Sequence, residues 1–201
     1  MKQILVIGAG RSSSSLIKYL LDHAGTEEWR VRVGDMDASL AASKVGDHPY
    51  GESFEFNALE PEQRRREVQA ADLIISMLPA RFHIEVVKDC IEFKKDILTP
   101  SYVSPEMKEL HEAAKEAGIV VMNEIGVDPG LDHLSAKRVL DHIEAEGGEM
   151  TMFESFTGGL VAPESDNNPW HYKFTWNPRN VVLAGQGGAA KFIQEGQYKY
   201  I

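Results

Sequence analysis

The chain has 201 residues, of which 43% are hydrophobic and 26% charged, an ordinary composition for a globular protein with a full core. Its net charge of −10 argues against an extended nucleic-acid surface, because phosphate binding needs clustered Lys and Arg. No apolar run approaches the length of a membrane span and no signal-peptide pattern precedes the first strand, so we expect no membrane partner. The single cysteine, Cys90, leaves no internal disulfide and favours a cytoplasmic location.

The stretch ILVIGAGRSSSS, residues 4–15, predicts a buried strand, a glycine-rich turn and the start of a helix. Its spacing is G-x-G-x-x-S, the dinucleotide-binding pattern with Ser13 in place of the third glycine. In that pattern Gly8 allows a tight turn and Gly10 lets backbone N–H groups approach a pyrophosphate at the helix N-terminus. The candidate cofactor contacts of this turn are Gly8, Gly10, Arg11, Ser12 and Ser13.

A second predicted strand, Arg30–Gly34, leads to Asp35, close to where an acidic residue binds the ribose hydroxyls of a dinucleotide. The alternative is a glycine-rich turn in an unrelated α/β protein, with Asp35 only capping the next helix. The order of strand, glycines, helix, strand and acid favours the dinucleotide site.

Strands and helices alternate over about the first 125 residues, which predicts a doubly wound parallel sheet of the α/β class. Further strands are predicted at 53–56, 73–76, 97–99 and 119–122, and helices at 37–42, 61–70, 82–93 and 104–118. Function in such a sheet lies at the carboxyl ends of the strands. We therefore expect one crevice lined by Asn57, 76–80, 100–102 and 123–130.

The segment NEIGVDPGLDH, residues 123–133, joins a predicted strand to a predicted helix. Asp128 suits the N-cap and Pro129 the first helical position, so the free N–H groups of this helix could meet a phosphate or a carboxylate. Asp128 could equally be a cap and nothing more. His83 and His133 suit either acid–base chemistry or a local hydrogen bond, and their spacing predicts no metal site.

Beyond Glu149 the pattern changes. Strands are predicted at 150–156 and 181–183, on either side of a Gly/Pro-rich stretch and a segment rich in Trp and Asn. Such segments suit ligand contact or an oligomer interface.

Five motifs occur in order: GAGRSSSS, ISMLPARFH, PSYVSPEM, NEIGVDPGLDH and FTGGLVAPESDNNPWHYKFTWNPR, followed by VVLAG. With them the chain resembles, over essentially its whole length, saccharopine dehydrogenase of the glutamate-forming kind, or saccharopine reductase. The resemblance implies a Rossmann-type NAD(P)-binding domain at 1–125. It also implies the first part of an α+β substrate and dimerisation domain at 126–201. Family members are longer, which implies a truncated chain, and they suggest a homodimer.

The implied reaction is NAD(P)-dependent oxidation of the secondary amine of saccharopine, after which water yields glutamate and aminoadipate semialdehyde. Besides the turn residues, the implied cofactor contacts are Asp35, Asn57, Leu78, Pro79, Ser101, Asp128, Pro129 and Gly130. The implied substrate contacts are Ser101, Tyr102, Asp128, Phe174, Thr175 and Trp176, with Asp128 and Tyr102 as the catalytic candidates.

Two residues depart from the pattern of this family. Its enzymes favour NADP, whereas the Asp35 carboxylate would repel a 2′-phosphate and favours NAD, with Arg11 leaving NADP open. Pro100 stands where relatives carry a small residue and removes a backbone donor. Two alternatives stay open: a carboxy-polyamine or homospermidine-type dehydrogenase, and a non-catalytic dinucleotide-binding module.

Overall fold

Six strands form one parallel sheet with helices on both faces. The computed structural model describes residues 1–156, 158–176, 178–184 and 189–201. The strands of the sheet are β1 (Lys2–Ile7), β2 (Trp29–Asp35), β3 (Gly51–Glu55), β4 (Leu73–Ser76), β5 (Asp96–Leu98) and β6 (Val121–Met122). They are ordered β3-β2-β1-β4-β5-β6, and every neighbouring pair is parallel. The predicted doubly wound α/β sheet is confirmed.

The helices that follow the strands are short to medium in length. They are α1 (Ser14–His23), α2 (Ala38–Val45), α3 (Pro61–Ala70), α4 (His83–Phe93), α5 (Pro105–Glu109), α6 (His111–Ala117), α7 (Leu131–Ala145) and α8 (Pro178–Ala184). A separate antiparallel hairpin is formed by β7 (Lys191–Gln194) and β8 (Gln197–Tyr200). Single 3-10 turns at Arg11–Ser13 and Ala80–Phe82 lead into α1 and α4.

The continuous apolar run of β1 serves two cores, because successive side chains of a strand point to opposite faces. Ile4 and Val6 pack in one buried cluster with side chains of α1 and α2. Leu5 and Ile7 pack in the other with side chains of α3 and α4, among them the thiol of Cys90. This burial on both faces holds the carboxyl end of β1 firmly in the middle of the sheet.

Three predicted elements beyond β5 differ from the structure. The helix predicted over 104–118 is interrupted at Leu110 and becomes α5 and α6, although Ser104 caps its start by accepting a hydrogen bond from Met107 N. The strand predicted at 150–156 is absent, and 181–183 lies in α8 rather than in a strand. A run of three apolar residues is too short for its periodicity to separate strand from helix.

The chain divides into two compact units, Met1–Phe156 and Thr157–Ile201. The domain boundary between residues 125 and 126 stays a prediction. Among the described residues, no helix is both long enough and apolar enough to cross a membrane.

Candidate functional site

The glycine-rich turn lies where the strand order reverses. The connection from β1 leads to β2 on one side and β4 lies on the other, which makes the carboxyl ends of β1 and β4 the switch point of the sheet. Gly8 has a φ of +104°, and a Cβ there would lie 3.0 Å from the carbonyl oxygen of Met77. The backbone of this turn therefore requires glycine at position 8.

Gly10 is a different case. Its φ of −64° suits any residue, and a Cβ there would meet no protein atom within 4 Å. Neither strain nor packing within the chain explains the missing side chain, whereas a pyrophosphate lying against the backbone would. The space over Gly10 is free of protein atoms, and the exposed Arg11 and Ser12 flank it, while contact with a dinucleotide stays a prediction.

Ser13 stabilises this turn through two hydrogen bonds to the backbone of Gly10. Its side chain is buried, and its hydroxyl donates a hydrogen bond of 2.9 Å to the carbonyl oxygen of Gly10. The first helical turn is a 3-10 turn, and Ser13 N donates to the same carbonyl at 3.2 Å. The hydroxyl of Ser13 is thus turned inward, and its role in keeping helix and strand close stays a prediction.

The Asp35 carboxylate ties the ends of β1 and β2 together. Its Oδ2 accepts a hydrogen bond of 2.7 Å from Ala9 N, and its Oδ1 accepts one of 2.9 Å from Asp37 N. A carboxylate has about four lone-pair sites, so acceptor capacity remains for ribose hydroxyls. The next helix is capped by Asp37, which accepts from the N–H groups of Ser39 and Leu40. The alternative in which Asp35 serves only as that cap is wrong.

Asn57, Leu78 and Pro79 follow β3 and β4 at the same edge of the sheet. The side-chain oxygen of Asn57 accepts a hydrogen bond of 3.0 Å from Leu59 N, which closes a local turn. Leu78 and Pro79 lead from β4 into the 3-10 turn before α4. Their position along a dinucleotide stays a prediction.

Tyr102 and Asp128, the two catalytic candidates, are brought together from positions 26 residues apart. The Tyr102 hydroxyl donates a hydrogen bond of 3.1 Å to Asp128 Oδ1, and both side chains are exposed. Partial loss of contact with water first, and then the hydrogen bond to Asp128, raise the pKa of Tyr102 above its ordinary value. The phenol therefore stays protonated at neutral pH and orients the carboxylate.

The loop from Gly126 to Gly130 corrects the predicted start of the helix. The peptide bond between Asp128 and Pro129 is cis, and α7 begins at Leu131 with Gly130 as its N-cap. A Cβ on Gly130, whose φ is +148°, would lie 2.2 Å from the carbonyl oxygen of Gly126. The prediction that Asp128 caps this helix is wrong, because the chain first folds back on itself here.

The N–H groups at this helix end are used within the chain. Gly126 N donates to Pro129 O at 2.8 Å, and Leu131 N donates to Gly126 O at 3.0 Å. Gly130 N donates to Asp132 Oδ1, also at 2.8 Å. Two of the donors of the anion site predicted at 128–131, Gly130 N and Leu131 N, are therefore already used within the chain.

Phe174, Thr175 and Trp176 belong to the second compact unit, so their predicted substrate contact remains a prediction. The ring of Phe174 packs edge-on against Tyr172, with 5.5 Å between centroids. Parts of the C-terminal motifs, at 157, 177 and 185, lie outside the described residues. Within the residues that are described, no three His, Cys, Asp or Glu side chains are grouped to hold a metal ion.

His83 is the site residue whose role the sequence left open. It is buried, and its hydrogen-bond partners Ser76, Thr99 and Ser101 are distant in sequence, so the local hydrogen bond of a helix residue is wrong. Burial lowers the pKa of His83 to about 4, so the ring is neutral near pH 7. The sequence feature that could have indicated these buried hydrogen bonds is Ser76, the polar residue that ends an otherwise apolar strand.

A parallel sheet in this order, with an open glycine turn at the switch point and an acid ending β2, defines a Rossmann-type dinucleotide-binding protein. Residues 4–122 match the family model "Saccharopine dehydrogenase NADP binding domain", and residues 126–201 match "Saccharopine dehydrogenase C-terminal domain". The chain belongs to the saccharopine dehydrogenase family.

Curated proteins similar to this chain include saccharopine dehydrogenases. The chain is 41% identical to the NADP+, L-glutamate-forming saccharopine dehydrogenase of Pyricularia oryzae, over 98% of this chain and 42% of that protein. Identity to the corresponding Saccharomyces cerevisiae protein is 36% over 100% of this chain and 44% of the relative. An alpha-aminoadipic semialdehyde synthase of Arabidopsis thaliana is 39% identical over 75% of this chain and 14% of its own length.

Among solved structures, the apo L-Glu-forming saccharopine dehydrogenase of Saccharomyces cerevisiae superposes with a TM-score of 0.85 at 34% identity. That match covers 100% of this chain and 44% of the yeast chain. The chain thus spans less than half the length of these saccharopine dehydrogenases. Their names specify NADP+, so they lend no support to the NAD preference expected from Asp35.

Proposed function

We propose that this chain supplies the dinucleotide crevice and part of the substrate site of an oxidoreductase that acts on the secondary amine of saccharopine. One observation carries the proposal: the open turn at Gly10, the Asp35 carboxylate and the Tyr102–Asp128 pair all lie at carboxyl ends of strands in one parallel sheet. The family of the chain supports the same reaction. A bound nicotinamide would supply the hydride acceptor.

The proposed reaction balances with the nicotinamide as hydride acceptor and water as the only other reactant. A hydride leaves the carbon next to the amine nitrogen, a proton leaves the nitrogen, and a carbon–nitrogen double bond remains. Water then adds to that bond, and the carbon–nitrogen bond breaks. Glutamate keeps the nitrogen, and the lysine-derived part becomes aminoadipate semialdehyde.

Asp128 and Tyr102 are the proposed polar contacts of the reacting amine. The exposed Asp128 carboxylate is a suitable acceptor for the amine N–H, and the Tyr102 hydroxyl on Oδ1 fixes its orientation. Proton transfer through this pair or through a water held by it needs the same geometry. Ser101 and the segment Phe174–Trp176 are proposed as further substrate contacts on the family resemblance.

The proposed cofactor contacts are those of the crevice: Gly8, Gly10, Arg11, Ser12, Ser13, Asp35, Asn57, Leu78, Pro79, Ser101, Asp128, Pro129 and Gly130. The domain model that the chain matches is an NADP-binding one. For this chain we propose a shift toward NAD, supported by the Asp35 carboxylate at the end of β2. Two unit charges about 4 Å apart in water interact by about 1 kcal/mol, roughly a fivefold change in affinity.

The first test is calorimetric titration of the 201-residue chain with NADH and with NADPH. NADH is expected to bind more tightly. Asp35→Asn keeps an acceptor for Ala9 N while it removes the charge, so it should narrow the difference between the two cofactors by about fivefold. Asp72→Ala is the matched control, because Asp72 accepts a main-chain hydrogen bond of 2.7 Å from Gln3 N at the opposite edge of the sheet.

Each outcome has a defined meaning. Absence of binding by a folded sample would refute the proposed crevice, and tighter binding of NADPH would refute the NAD preference alone. Saccharopine is then added to the binary complex. Binding of a carboxy-polyamine in its place favours the polyamine dehydrogenase, and binding of the dinucleotide alone favours the non-catalytic module. A homodimer and a cytoplasmic location stay predictions.

A further inference from the structure

His83 is a buried polar side chain at the edge of the sheet where the crevice lies. The residue is only 1% exposed, and its Nδ1 lies 2.9 Å from the hydroxyl of Ser76 at the end of β4. Its Nε2 lies 2.8 Å from Ser101 Oγ and 3.0 Å from Thr99 Oγ1, both just after β5. Three hydroxyl groups from two segments, the end of β4 and the loop after β5, therefore converge on one imidazole.

Packing alone does not account for this histidine. A polar ring placed in a core costs free energy unless its nitrogen atoms are hydrogen-bonded, and an apolar ring would fill the same space without that requirement. The neighbouring buried positions of α4, Val86 and Val87, are apolar. The hydrogen bonds of the imidazole therefore explain its presence better than its packing does.

The residue that it holds at the surface of the crevice is Ser101. Thr99 Oγ1 accepts a hydrogen bond of 3.3 Å from Ser101 N, while Nε2 of His83 contacts the Ser101 hydroxyl. The carbonyl oxygen of Ser101 accepts one of 3.1 Å from Glu124 N. All three polar groups of this half-buried serine are thereby fixed, and the next residue is Tyr102.

The neutral ring also sets the direction of the Ser101 hydroxyl. A neutral imidazole has one N–H and one lone pair. With the proton on Nε2, His83 donates to Ser101 Oγ and leaves the hydroxyl hydrogen of Ser101 for a ligand. With the proton on Nδ1, the serine hydroxyl can donate to Nε2 and present lone pairs outward. Nε2 is shared with Thr99 Oγ1 at 3.0 Å, and in both tautomers its contact of 2.8 Å with Ser101 Oγ limits what that hydroxyl offers to the crevice.

We propose that His83 is a positioning residue for the dinucleotide site, which acts by holding the hydroxyl and backbone of Ser101 at the carboxyl edge of the sheet. The inference rests on the function proposed above. A hydroxyl that is already oriented loses less conformational freedom when a ligand binds, so the affinity gains from this preorganisation.

Substitution of His83 by Gln or by Asn distinguishes the contribution of Nε2 from that of Nδ1. In His83→Gln the amide reaches toward the place of Nε2 and can still contact Ser101, whereas in His83→Asn it reaches only to the place of Nδ1 and Ser76. Titration of each chain with NADH and NADPH should show about fivefold to tenfold weaker binding for His83→Asn, the equivalent of one hydrogen bond, and recovery for His83→Gln. Asp72→Ala, at the opposite edge of the sheet and without contact to His83, is the control and should leave the affinity unchanged.

A double-mutant cycle with Ser101→Ala tests whether the effect passes through that serine. In the Ser101→Ala background, His83→Asn and His83→Gln should bind the dinucleotide equally well. If His83 only stabilised the fold, both variants would have lower thermal stability. Their loss of dinucleotide affinity would then be the same whichever ring nitrogen is replaced, and the same with or without the Ser101 hydroxyl. Equal losses in both backgrounds would overturn the inference and leave the proposed function intact.

Imidazole ¹⁵N NMR provides a second measurement, which does not require a stable His83 variant. Ser101→Ala should shift the Nε2 resonance of His83, and Ser76→Ala should shift that of Nδ1. An Nε2 resonance that does not respond to Ser101→Ala would overturn the inference. If the wild-type chain binds neither dinucleotide, the proposed function fails and this inference fails with it.

Discussion

Mild acid should destabilise the sheet through the buried ring of His83. Burial lowers its pKa from 6.5 to about 4, so the folded chain resists a proton that the unfolded chain accepts. A group with a lowered pKa in the folded state contributes stability above its unfolded pKa and loses it as the pH falls toward the folded value. The affected window therefore lies between pH 6.5 and pH 4.

The size of the effect follows from the same shift. One pKa unit corresponds to about 1.4 kcal/mol, so the full difference is worth about 3 kcal/mol, of which about 2 kcal/mol is lost between pH 7.5 and pH 5. Carboxylates act at lower pH: hydrogen bonds from Ser39 and from the backbone of Leu40 hold the pKa of Asp37 below 3.8. His133, whose pKa is raised by its hydrogen bond to Asp132, titrates in the same window, so the difference between the parent chain and His83→Gln isolates the contribution of His83.

Urea unfolding at pH 7.5, 6 and 5 measures this contribution, and the fluorescence of Trp29 reports on the sheet. The indole of Trp29 donates a hydrogen bond to Leu20 O, whereas Trp170 and Trp176 lie in the second unit and would be replaced by Phe. His83→Gln does not titrate, so it should lose about 2 kcal/mol less than the parent chain between pH 7.5 and 5. Equal losses in the two chains would refute the buried, neutral histidine.

Further substitutions distinguish stability from binding. Gly8→Ala forces a Cβ to 3.0 Å from Met77 O at a φ of +104° and should cost about 1–3 kcal/mol in the free energy of unfolding. Gly10→Ala, which meets no protein atom, should leave stability within about 0.5 kcal/mol while it weakens dinucleotide binding by calorimetry. Asp89→Ala should cost about 3–5 kcal/mol by urea unfolding, because Asp89 Oδ2 lies 2.6 Å from Nε of the buried Arg64; a loss below 1 kcal/mol would contradict this.

The parallel sheet was predictable because its information is local. The apolar run 4–7, the following glycines and the strand at 73–76 lie where the structure has them, since a strand buried on both faces needs an uninterrupted apolar sequence. The functional edge of the sheet followed from the parallel order alone. Residues 101, 102 and 128 were placed there by the predicted strand ends, and the family resemblance supplied their roles. The pairing of Tyr102 with Asp128 needed the structure.

The predicted elements were wrong where a local sequence pattern is compatible with more than one backbone structure. The short apolar run 181–183 is compatible with strand and helix, and it lies in α8. Asp128 followed by Pro129 is typical of a helix start, yet the hydrogen bonds between Gly126 and the residues after Asp128 delay α7 to Leu131. Loop hydrogen bonds decided the second case, and single-sequence periodicity does not include them.

By itself, the sequence determined the class of sheet, its order of elements and the position of the glycine turn, because strand burial and turn conformation depend on neighbouring residues. Only the tertiary structure decided that Asp35 holds Ala9 N and that His83 holds Ser101. Those partners are 26 and 18 residues apart, and Ala9 and Ser101 lie in the loops after β1 and β5. A buried polar atom takes whichever partner the packed sheet brings within hydrogen-bonding distance, and that distance exists only once the strands are paired.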